Sequence, residues 1–508
     1  MVRLDTRLPS LPVGRGTAIF LAGACFHRRE AVEELEILVD GVRQRPAAAR
    51  MPRLDLFQMV HPRLALGSNA RAGDPASTED PEGRCYRSGF WATISIEPRD
   101  RPGRVELSVA VRLESGAELI APLGRLEIVE PRRPPVYKLS TEPRDAALIA
   151  VCMATFEPEM TLFRTQIDSL RAQTDSNWIC LISDDCSSPE RFDEISDTVA
   201  GDTRFIVSRS PWNLGYYRNF ERALEMVPSE AELVALCDQD DRWYPEKLRV
   251  LRDAIGSAGL VYSDQRLVDA DGRVLRETLW TGRRNNHTSL ASLLIANTIT
   301  GAATLFRREV AELAVPFPDT PGWQFHDHWL GLVAMAMGEV AYVDRPLYDY
   351  VQHPGAILGQ VIESDDSPPN ARGPRPGLER LRASLRGWRP AYFYGYLARE
   401  VQAQALLARC PAILSAPKRR ILERFVAAAR APLPFAWLVT RPLRGLVGAN
   451  ETLGTEWELA RGIVWRHLIE ARAGRREAPG VAAYEASCPP LDVDSLGESR
   501  LARWRARM

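Results

Sequence analysis

The sequence predicts an α/β domain at its centre, preceded by a β-rich region and followed by a mainly α-helical region. Apolar runs alternate with helical patterns between residues 145 and 360, which is typical of an α/β sheet. Residues 1–140 hold short strand-like runs separated by turns, and the sequence from 377 onward is rich in Ala, Leu and Arg. A chain of 508 residues is longer than one hydrophobic core normally serves. We therefore predict three regions, at 1–140, 145–360 and 377–508.

The first region has the pattern of a β-sandwich-like accessory domain. Residues 35–39 are apolar and run into the turn signal Asp40-Gly41, and residues 105–113 alternate apolar and polar side chains. Residues 90–96 are rich in β-forming side chains. The apolar run 17–25 follows several arginines, but its strongly apolar centre is too short for a signal peptide, so we interpret it as a buried strand. Short strands at this spacing favour two packed sheets.

The central region predicts strands and helices in alternation. The predicted strands are 148–153, 178–183, 205–207 and 233–237, and helices are predicted at 160–172 and 216–226. Proline-rich segments at 131–135 and 364–376 are interpreted as linkers on either side, and residues 67–83 as a loop.

The charge balance, the cysteine pattern and the length of the apolar runs limit which classes of protein fit the sequence. Lys and Arg total 65 and Asp and Glu total 66, which gives a net charge of -1 and argues against a nucleic-acid partner. The eight cysteines show no CxxC pair, so we expect reduced thiols and a cytoplasmic location rather than a disulfide framework. No run of about 20 apolar residues predicts a membrane-spanning helix.

Polar and acidic side chains follow three of the predicted strands. Thr155 and Glu157 follow the first, Asp184 and Asp185 the second, and residues 238–241 (Asp-Gln-Asp-Asp) the fourth. Ligands of open α/β sheets bind beyond the carboxyl ends of the strands, so convergence of these groups predicts a site there. An aspartate in this position also serves commonly as a helix N-cap, which is the structural alternative.

Three carboxylates within four residues repel one another unless a positive group binds them. Mg²⁺ or Mn²⁺ is the expected partner of residues 238–241, because such ions combine one or two carboxylates with substrate phosphate oxygens. The alternative is a solvated acidic turn.

Seven segments, in chain order, resemble those of family 2 glycosyltransferases, and most closely its rhamnosyltransferase-like members. They are residues 155–158, 183–187, 213–220, 236–243 with Pro245-Glu246-Lys247-Leu248, 300–306, 326–330 and 350–355. Two departures stand in the last segment: Val351 lies where the family often has arginine, and Pro354 where it has glycine. A contact to the donor diphosphate would then come from elsewhere, such as Arg218 or Arg276.

The resemblance implies a GT-A fold, which joins a Rossmann-like nucleotide-binding half to an acceptor-binding half, and a reaction with inversion at the anomeric carbon. It implies a role in binding the nucleotide-sugar for Thr155, Glu157, Asp184, Asp185, Asn213, Gly215, Arg218, Asp238 and Gln239. It assigns the metal to Asp240, Asp238 and His353, and the acceptor to Gly301, Trp323, His326, His328 and Trp329. Asp184 would contact the pyrimidine base.

The chemistry requires a base, because the acceptor hydroxyl has a high pKa and must lose its proton during attack. Asp327 is our candidate for this catalytic base, at the start of a helix predicted at 327–337. The structural alternatives are an N-cap for Asp327, structural roles for the histidines, and core positions for Trp323 and Trp329.

We therefore expect an inverting, metal-dependent transferase of bacterial surface-polysaccharide biosynthesis. Its donor would be a nucleoside-diphosphate sugar, with dTDP-L-rhamnose favoured over a UDP-hexose or galactofuranose donor, and its acceptor a glycan or lipid-linked glycan. A non-catalytic glycan-binding or scaffold protein with a degenerate domain is the alternative from another class. Arginines among apolar residues after 430 suggest peripheral contact with the inner face of the cell membrane, or equally a solvated charged surface.

Overall fold

The computed structural model describes residues 1–60, 80, 83–131, 137, 147–280, 284–322, 324–353, 387–449 and 451–473. The predicted linker 364–376 lies outside these ranges, as do most of the predicted linker 131–135 and most of the predicted loop 67–83.

The β-rich region forms two sheets. Its strands are β1 (Val2–Leu4), β2 (Leu11–Pro12), β3 (Thr17–Cys25), β4 (Val32–Val39), β5 (Val42–Gln44), β6 (Ala48–Met51), β7 (Gly89–Ile96), β8 (Gly103–Leu113) and β9 (Glu118–Val129). One sheet has the order β1-β3-β7-β6 and the other β2-β9-β8-β4-β5. At the predicted turn, Asp40 and Gly41 both have positive φ, and Val39 pairs directly with Val42 across a two-residue hairpin. Helix α1 (Leu54–Val60) and a 3₁₀ turn (Arg84–Arg87) also lie in this region, so it is not purely β.

Strand β3 is buried on both faces, as its apolar sequence suggests. Ile19 and Leu21 pack in a cluster shared with the second sheet, for example with Ile37. Phe20 and Ala22 point the other way and belong to the large core of the rest of the molecule. Alternate side chains of a strand point to opposite faces, so one strand joins two cores.

The central domain is built on one mixed sheet. Its strands are β10 (Leu148–Thr155), β11 (Trp178–Asp184), β12 (Phe205–Arg209), β13 (Ala231–Cys237), β14 (Arg242–Trp243), β15 (Leu260–Asp269), β16 (Val274–Arg276), β17 (Thr304–Arg307) and β18 (Val340–Gln352). Its helices are α2 (Met160–Arg171), α3 (Pro189–Val199), α4 (Tyr216–Glu225), α5 (Lys247–Ala254), α6 (Leu290–Ile295), α7 (Arg308–Ala314) and α8 (His326–Met337).

The order of this sheet is β12-β11-β10-β13-β17-β15-β18-β14, and β16 pairs with β15. The first four strands are parallel, as predicted, and Thr155 of β10 lies opposite Asp184 of β11. β17 is antiparallel to both of its neighbours, so the second half of the sheet departs from the parallel pattern. The carboxyl ends of β10, β11 and β13 consequently meet at one edge, which we call the strand-end edge.

The helical region packs on both other regions. Its helices are α9 (Ala398–Arg409), α10 (Ala416–Ala427), α11 (Pro432–Thr440) and α12 (Thr455–Ala473), and a π-helical stretch (Ala391–Leu397) precedes α9. Trp91 of β7 stacks on Trp465 of α12 with ring centroids 6.2 Å apart and meets Phe393 edge-on at 4.8 Å. No helix of the described ranges is long and apolar enough to cross a membrane.

The buried side chain of Arg409 joins all three regions. Its Nε donates to the carbonyl of Gly16 in the β-rich region at 2.9 Å. Its Nη1 donates to the carbonyl of Ala314, the last residue of α7, at 2.7 Å and to that of Pro316 at 2.9 Å, both in the central domain. A buried guanidinium that loses such acceptors is strongly destabilised, so this contact fixes the three regions to one another.

Candidate active site

The acidic segment 238–241 follows β13 directly and turns back across the sheet. The turn is fixed because Arg242 and Trp243 form β14, which pairs with Asp349 and Tyr348 of β18. This pairing places the end of β18 against the acidic segment, and the His353 Nε2 lies 2.7 Å from the Asp240 Oδ2. Two of the predicted metal ligands are thus in direct contact.

Asp349 secures this turn, and sequence reasoning did not single it out. Its buried carboxylate accepts hydrogen bonds from Arg242, from Arg266 at 2.7 Å and from the Tyr244 hydroxyl at 2.6 Å. Burial by itself would raise the pKa of Asp349, but these three donors outweigh it and lower the pKa.

The acidic segment itself has few protein donors. Among the described residues no side chain or backbone N–H donates to the carboxylate of Asp238, and the Oδ2 of Asp241 is buried without a partner. Burial, and after it the charge of Asp240, raises the pKa of Asp238, and burial and the charge of Asp238 raise the pKa of Asp241. Carboxylates in this state favour binding of a proton or a cation.

Lys247 lies buried beneath the acidic segment. Its Nζ donates to the carbonyl of Ala302 and lies 3.5 Å from the centroid of the Trp243 ring. Burial lowers the pKa of Lys247 to about 7, although the charges of Asp241 and Asp238 oppose this. The segment Pro245-Glu246-Lys247-Leu248 was the sequence signal for this residue, but nothing in the pattern indicated that the amine is buried.

Asp327 lies in the first turn of α8. Phe325 occupies the N-cap position, so Asp327 is not the cap of this helix. Its Oδ1 accepts from the His328 N–H at 2.6 Å and from the Asn297 Nδ2 at 3.0 Å, and its Oδ2 accepts from the Gly301 N–H at 3.2 Å. Burial raises the pKa of Asp327 to about 7 even though these donors favour the charged form.

Asp327 and the acidic segment face a common region. The charge of Asp327 contributes to the raised pKa of Asp238. Desolvation and the charges of Asp238, Asp241, Asp240 and Asp327 raise the pKa of the Tyr350 hydroxyl. Asp238 and Asp327, which are 89 positions apart in sequence, therefore lie close enough for their charges to interact. Asn297, which orients Asp327, precedes the segment 300–306 and was missed because no pattern marks it.

Gly301 and His326 lie beside Asp327. A Cβ at Gly301 would come within 2.7 Å of the His326 Nε2, so this position leaves no room for a side chain. The His326 ring stacks on Phe220 with centroids 3.8 Å apart, and neither ring nitrogen has a partner among the described residues. Burial lowers the pKa of His326 to about 3, so the ring is neutral.

The other residues predicted to bind acceptor are differently placed. Trp329 is fully buried and donates from its Nε1 to the Ala314 carbonyl at 2.9 Å, so it lies in the core, the alternative left open by the sequence. His328 is also buried, with its Nε2 2.7 Å from the Leu293 carbonyl oxygen. Neither ring presents a surface to an acceptor sugar. Trp323 lies outside the described residues.

Asp184 is at the centre of a hydrogen-bonded network at the end of β11. Its Oδ1 accepts from the Ser187 Oγ at 2.5 Å and the Thr155 Oγ1 at 3.2 Å, and its Oδ2 accepts from the Ser187 N–H at 3.0 Å. Asp184 and Thr155 are both buried. A direct contact of Asp184 with a nucleotide base stays a prediction, and in this structure its carboxylate organises the loop around Ser187.

Two further predicted residues hold this loop and the one after β10. Glu157, which has a positive φ, accepts from the Ser188 N–H at 2.5 Å and donates its own N–H to the Ser187 Oγ at 2.9 Å. Gln239 accepts from the Phe156 N–H at 2.8 Å and donates to the Phe156 carbonyl at 3.3 Å. The Gln239 contact ties the acidic segment to the first strand end and leaves the Phe156 side chain exposed.

Asp185 fixes the loop that precedes α4. Its two oxygens accept from the N–H groups of Leu214 at 2.6 Å and Gly215 at 2.8 Å, and the Asn213 Nδ2 donates to its carbonyl at 3.3 Å. Gly215 has a positive φ, which explains a glycine at this position.

The two arginines proposed for a diphosphate contact do not reach the acidic segment. Arg218 donates to Glu221 and to Asp319 and is held by these ion pairs. Arg276 is exposed on β16. Their roles toward a donor stay predictions.

The residues at the acidic segment fit a divalent cation that takes part of its coordination from a ligand. The described residues contain no preformed group of three His, Cys, Asp or Glu side chains around one point. They do contain the Asp240–His353 contact and the carboxylate of Asp238, which no described residue pairs. Magnesium and manganese commonly use one or two carboxylates with phosphate oxygens, which matches this partial set.

Comparison with known proteins defines the class. Residues 151–313 match the sequence model described as "Glycosyl transferase family 2". These residues contain the three strand ends, the acidic segment and Gly301. The match identifies a glycosyltransferase domain at residues 151–313, within the central region.

Individual relatives are more distant. The uncharacterized protein y4gI of Sinorhizobium fredii (strain NBRC 101917 / NGR234) is 29% identical over 126 residues, which is 24% of this chain and 14% of that protein. Among solved structures, TarS 1-349 of S. aureus in complex with UDP-GlcNAc aligns with a TM-score of 0.39 at 16% identity, over 64% of this chain and 92% of that one. The mannosyltransferase PcManGT from Pyrobaculum calidifontis, in complex with GDP-Man and Mn²⁺, aligns with a TM-score of 0.32 at 17% identity, over 65% of this chain and 91% of that one. The assignment of class therefore rests on the family match.

Proposed function

We propose that the protein is an inverting, metal-dependent glycosyltransferase in which Asp327 is the catalytic base. The observation that carries this proposal is the carboxylate of Asp327, which is held by three N–H donors and has a pKa raised to about 7. A base with a pKa near the working pH combines an adequate ionised fraction with a useful driving force for proton transfer.

In the proposed reaction, the acceptor hydroxyl attacks the anomeric carbon of the donor as its proton passes to Asp327. The bond between that carbon and the diphosphate oxygen breaks, and the nucleoside diphosphate leaves. Asp240, His353 and Asp238 would hold a Mg²⁺ or Mn²⁺ ion, which supplies charge stabilisation for the diphosphate. Asn297 and the Gly301 N–H keep the base oriented, and His326, stacked on Phe220, borders the acceptor side.

The donor is a nucleoside-diphosphate sugar, and we propose dTDP-L-rhamnose, with a UDP-hexose or galactofuranose donor as the alternative. The support is the resemblance of the strand-end segments and the family match over them. Surface-polysaccharide biosynthesis on the cytoplasmic side, with a glycan or lipid-linked glycan as acceptor, is part of the same proposal. The free thiols of the described cysteines agree with a reducing compartment.

Calorimetric titration with UDP and with dTDP, each with and without Mn²⁺, tests the proposal. We expect binding that requires Mn²⁺, and the tighter nucleotide indicates the donor class. A well-folded protein that binds neither nucleotide would overturn the transferase mechanism and favour the non-catalytic glycan-binding alternative.

A further inference from the structure

The helical region exposes apolar side chains on α11 and on the 3₁₀ turn that follows it (Arg441–Val447). Leu433, Leu446 and Val447 expose 82%, 85% and 82% of their surface, and Leu443 is also exposed. We call these four side chains the apolar ridge. Large apolar side chains grouped in this way on a protein surface usually mark a site of interaction.

The ridge follows from the helical period of the sequence. Leu433, Ala436 and Thr440 lie on one face of α11 at intervals of three and four residues, and all three are exposed. Leu438 on the opposite face is fully buried, and Phe435 and Trp437 pack against the core. The inner face alone is sufficient to hold the helix in place, so the outer leucine is not needed for folding.

Basic residues predominate in the sequence that contains the ridge. Residues 411–449 contain seven lysines and arginines and a single acidic residue, Glu423, in a chain whose net charge is -1. Arg444 lies between Leu443 and Leu446 in sequence and forms an ion pair with Glu451 at 3.7 Å. The Arg424 guanidinium lies 5.7 Å from the Trp437 ring centroid, and Arg284 lies within 3.4 Å of a Cβ placed on Gly448. Apolar side chains flanked by arginines are complementary to a surface with a hydrocarbon interior and negatively charged headgroups.

The ridge adjoins the acceptor side of the catalytic domain. Arg441, the first residue after α11, donates to the Ser292 Oγ of α6 at 2.9 Å. The Leu293 carbonyl of the same helix accepts from the His328 Nε2 of α8 at 2.7 Å. Asn297, just after α6, donates to Asp327. A short run of contacts therefore links the ridge with the proposed base.

We propose that the apolar ridge docks the enzyme on an anionic lipid bilayer, with Leu433, Leu443, Leu446 and Val447 inserted among the acyl chains. The arginines differ in part from those that the sequence suggested, because Arg466 is buried and Arg441 is engaged with Ser292 and Glu456. The extension that the acceptor is lipid-linked rests on the proposed function. The docking itself does not.

Flotation of the full chain with vesicles tests the docking. Vesicles of phosphatidylcholine alone are compared with vesicles that also contain phosphatidylglycerol, at low and at high salt. Leu446→Glu is the test variant, and Ile120→Glu is the matched control, because Ile120 is 63% exposed on β9 of the accessory domain. Both positions are on the surface, so neither substitution disturbs a packed core.

We expect the wild-type protein to float with the anionic vesicles, with less protein bound at high salt. Leu446→Glu should lower the partition coefficient by about tenfold or more, and Ile120→Glu should leave it unchanged. Equal binding to both vesicle compositions, or equal binding of the two variants, would overturn the proposal. So would a wild-type dimer in solution that Leu446→Glu dissociates, because a second copy would then cover the ridge.

Titration of the same samples with UDP or dTDP and Mn²⁺ separates the two proposals. Leu446 is not among the residues proposed to bind the donor or the cation, so the variant should bind nucleotide as the wild type does. Loss of vesicle binding with intact nucleotide binding supports docking, and absent nucleotide binding in the wild type would count against the transferase mechanism only.

Discussion

Two groups of aspartates at the strand-end edge have similar sequences and opposite surroundings. Asp184 and Asp185 follow β11, and their four side-chain oxygens all accept hydrogen bonds from the protein. Asp238 and Asp241 follow β13, and there one carboxylate lacks any donor from the described residues and the other has a buried oxygen without a partner. Asp184 and Asp185 organise the neighbouring loops, whereas Asp238 and Asp241 keep acceptor capacity for a ligand. The role of an aspartate at a strand end therefore depends on which protein groups donate hydrogen bonds to it.

The largest effect should come from the base. Asp327→Asn keeps the size and one acceptor oxygen but cannot take the acceptor proton, so kcat should fall by about a hundredfold to ten-thousandfold. Transfer from the donor identified by nucleotide binding measures this, and calorimetry should show donor affinity unchanged. Asp253→Asn on the exposed surface of α5 is the control. Wild-type rates for Asp327→Asn would contradict the assignment.

Asp240→Ala should have the next largest effect, because it removes a proposed ligand and the partner of His353. The Mn²⁺-dependent gain in nucleotide affinity should fall by about 10- to 100-fold, and binding without metal should change little. Calorimetric titrations with and without Mn²⁺ measure both. If affinity fell equally in both conditions, Asp240 would act on the donor directly and not through a cation.

Asp185→Asn should act on stability instead. The amide can accept at only one of its two positions, so the Leu214 or the Gly215 N–H loses its partner. We expect the free energy of unfolding to fall by about 1–2 kcal/mol in denaturant titration. Asp238→Asn is the matched comparison and should not destabilise the protein, because it removes repulsion and no hydrogen bond. Equal losses in the two variants would remove the distinction between the two groups.

The pH dependence of stability should also report on Asp327. The pKa of Asp327 is about 7 in the folded protein and about 3.9 in an unfolded chain, so the folded state binds the extra proton between these values. The contribution of Asp327 therefore lowers stability as pH rises from about 4 to about 7. Thermal unfolding across this range should show a shallower decline for Asp327→Asn than for the wild type. A steeper decline in the variant would show that the shift has the opposite sign.

Much of the fold followed from the sequence because local patterns and tertiary environment agree. The predicted strands at 148–153, 178–183 and 233–237 all lie within observed strands, and their apolar runs reflect burial on both faces. The antiparallel position of β17 was not predicted, because strand direction depends on connections across the sheet. The helix α1 was missed for a similar reason, since a short helix within β-rich surroundings has little pattern of its own.

The site was predictable to the extent that it lies at strand ends. Asp240 and His353 are 113 residues apart, and only the family resemblance assigned them to one metal site. The structure brings the two side chains into contact, and their binding of a metal stays a prediction. Asp349, Lys247 and Asn297 could not be assigned, because their roles depend on partners from other strands and loops. Trp329 is the opposite case. The sequence suggested a role at the acceptor site because it lies two residues after the proposed base, but the ring is in the core, where its Nε1 donates to the Ala314 carbonyl.

The guanidinium of Arg409 donates to the Gly16 carbonyl on one side and to the Ala314 carbonyl on the other. These contacts restrict which sequence changes each region can accept independently of the other two. A β-rich region transplanted from another protein would have to offer a carbonyl in the same place and an aromatic ring for Trp465. The β-rich region, the transferase domain and the helices should thus change together in evolution, although the sequence predicts linkers between them.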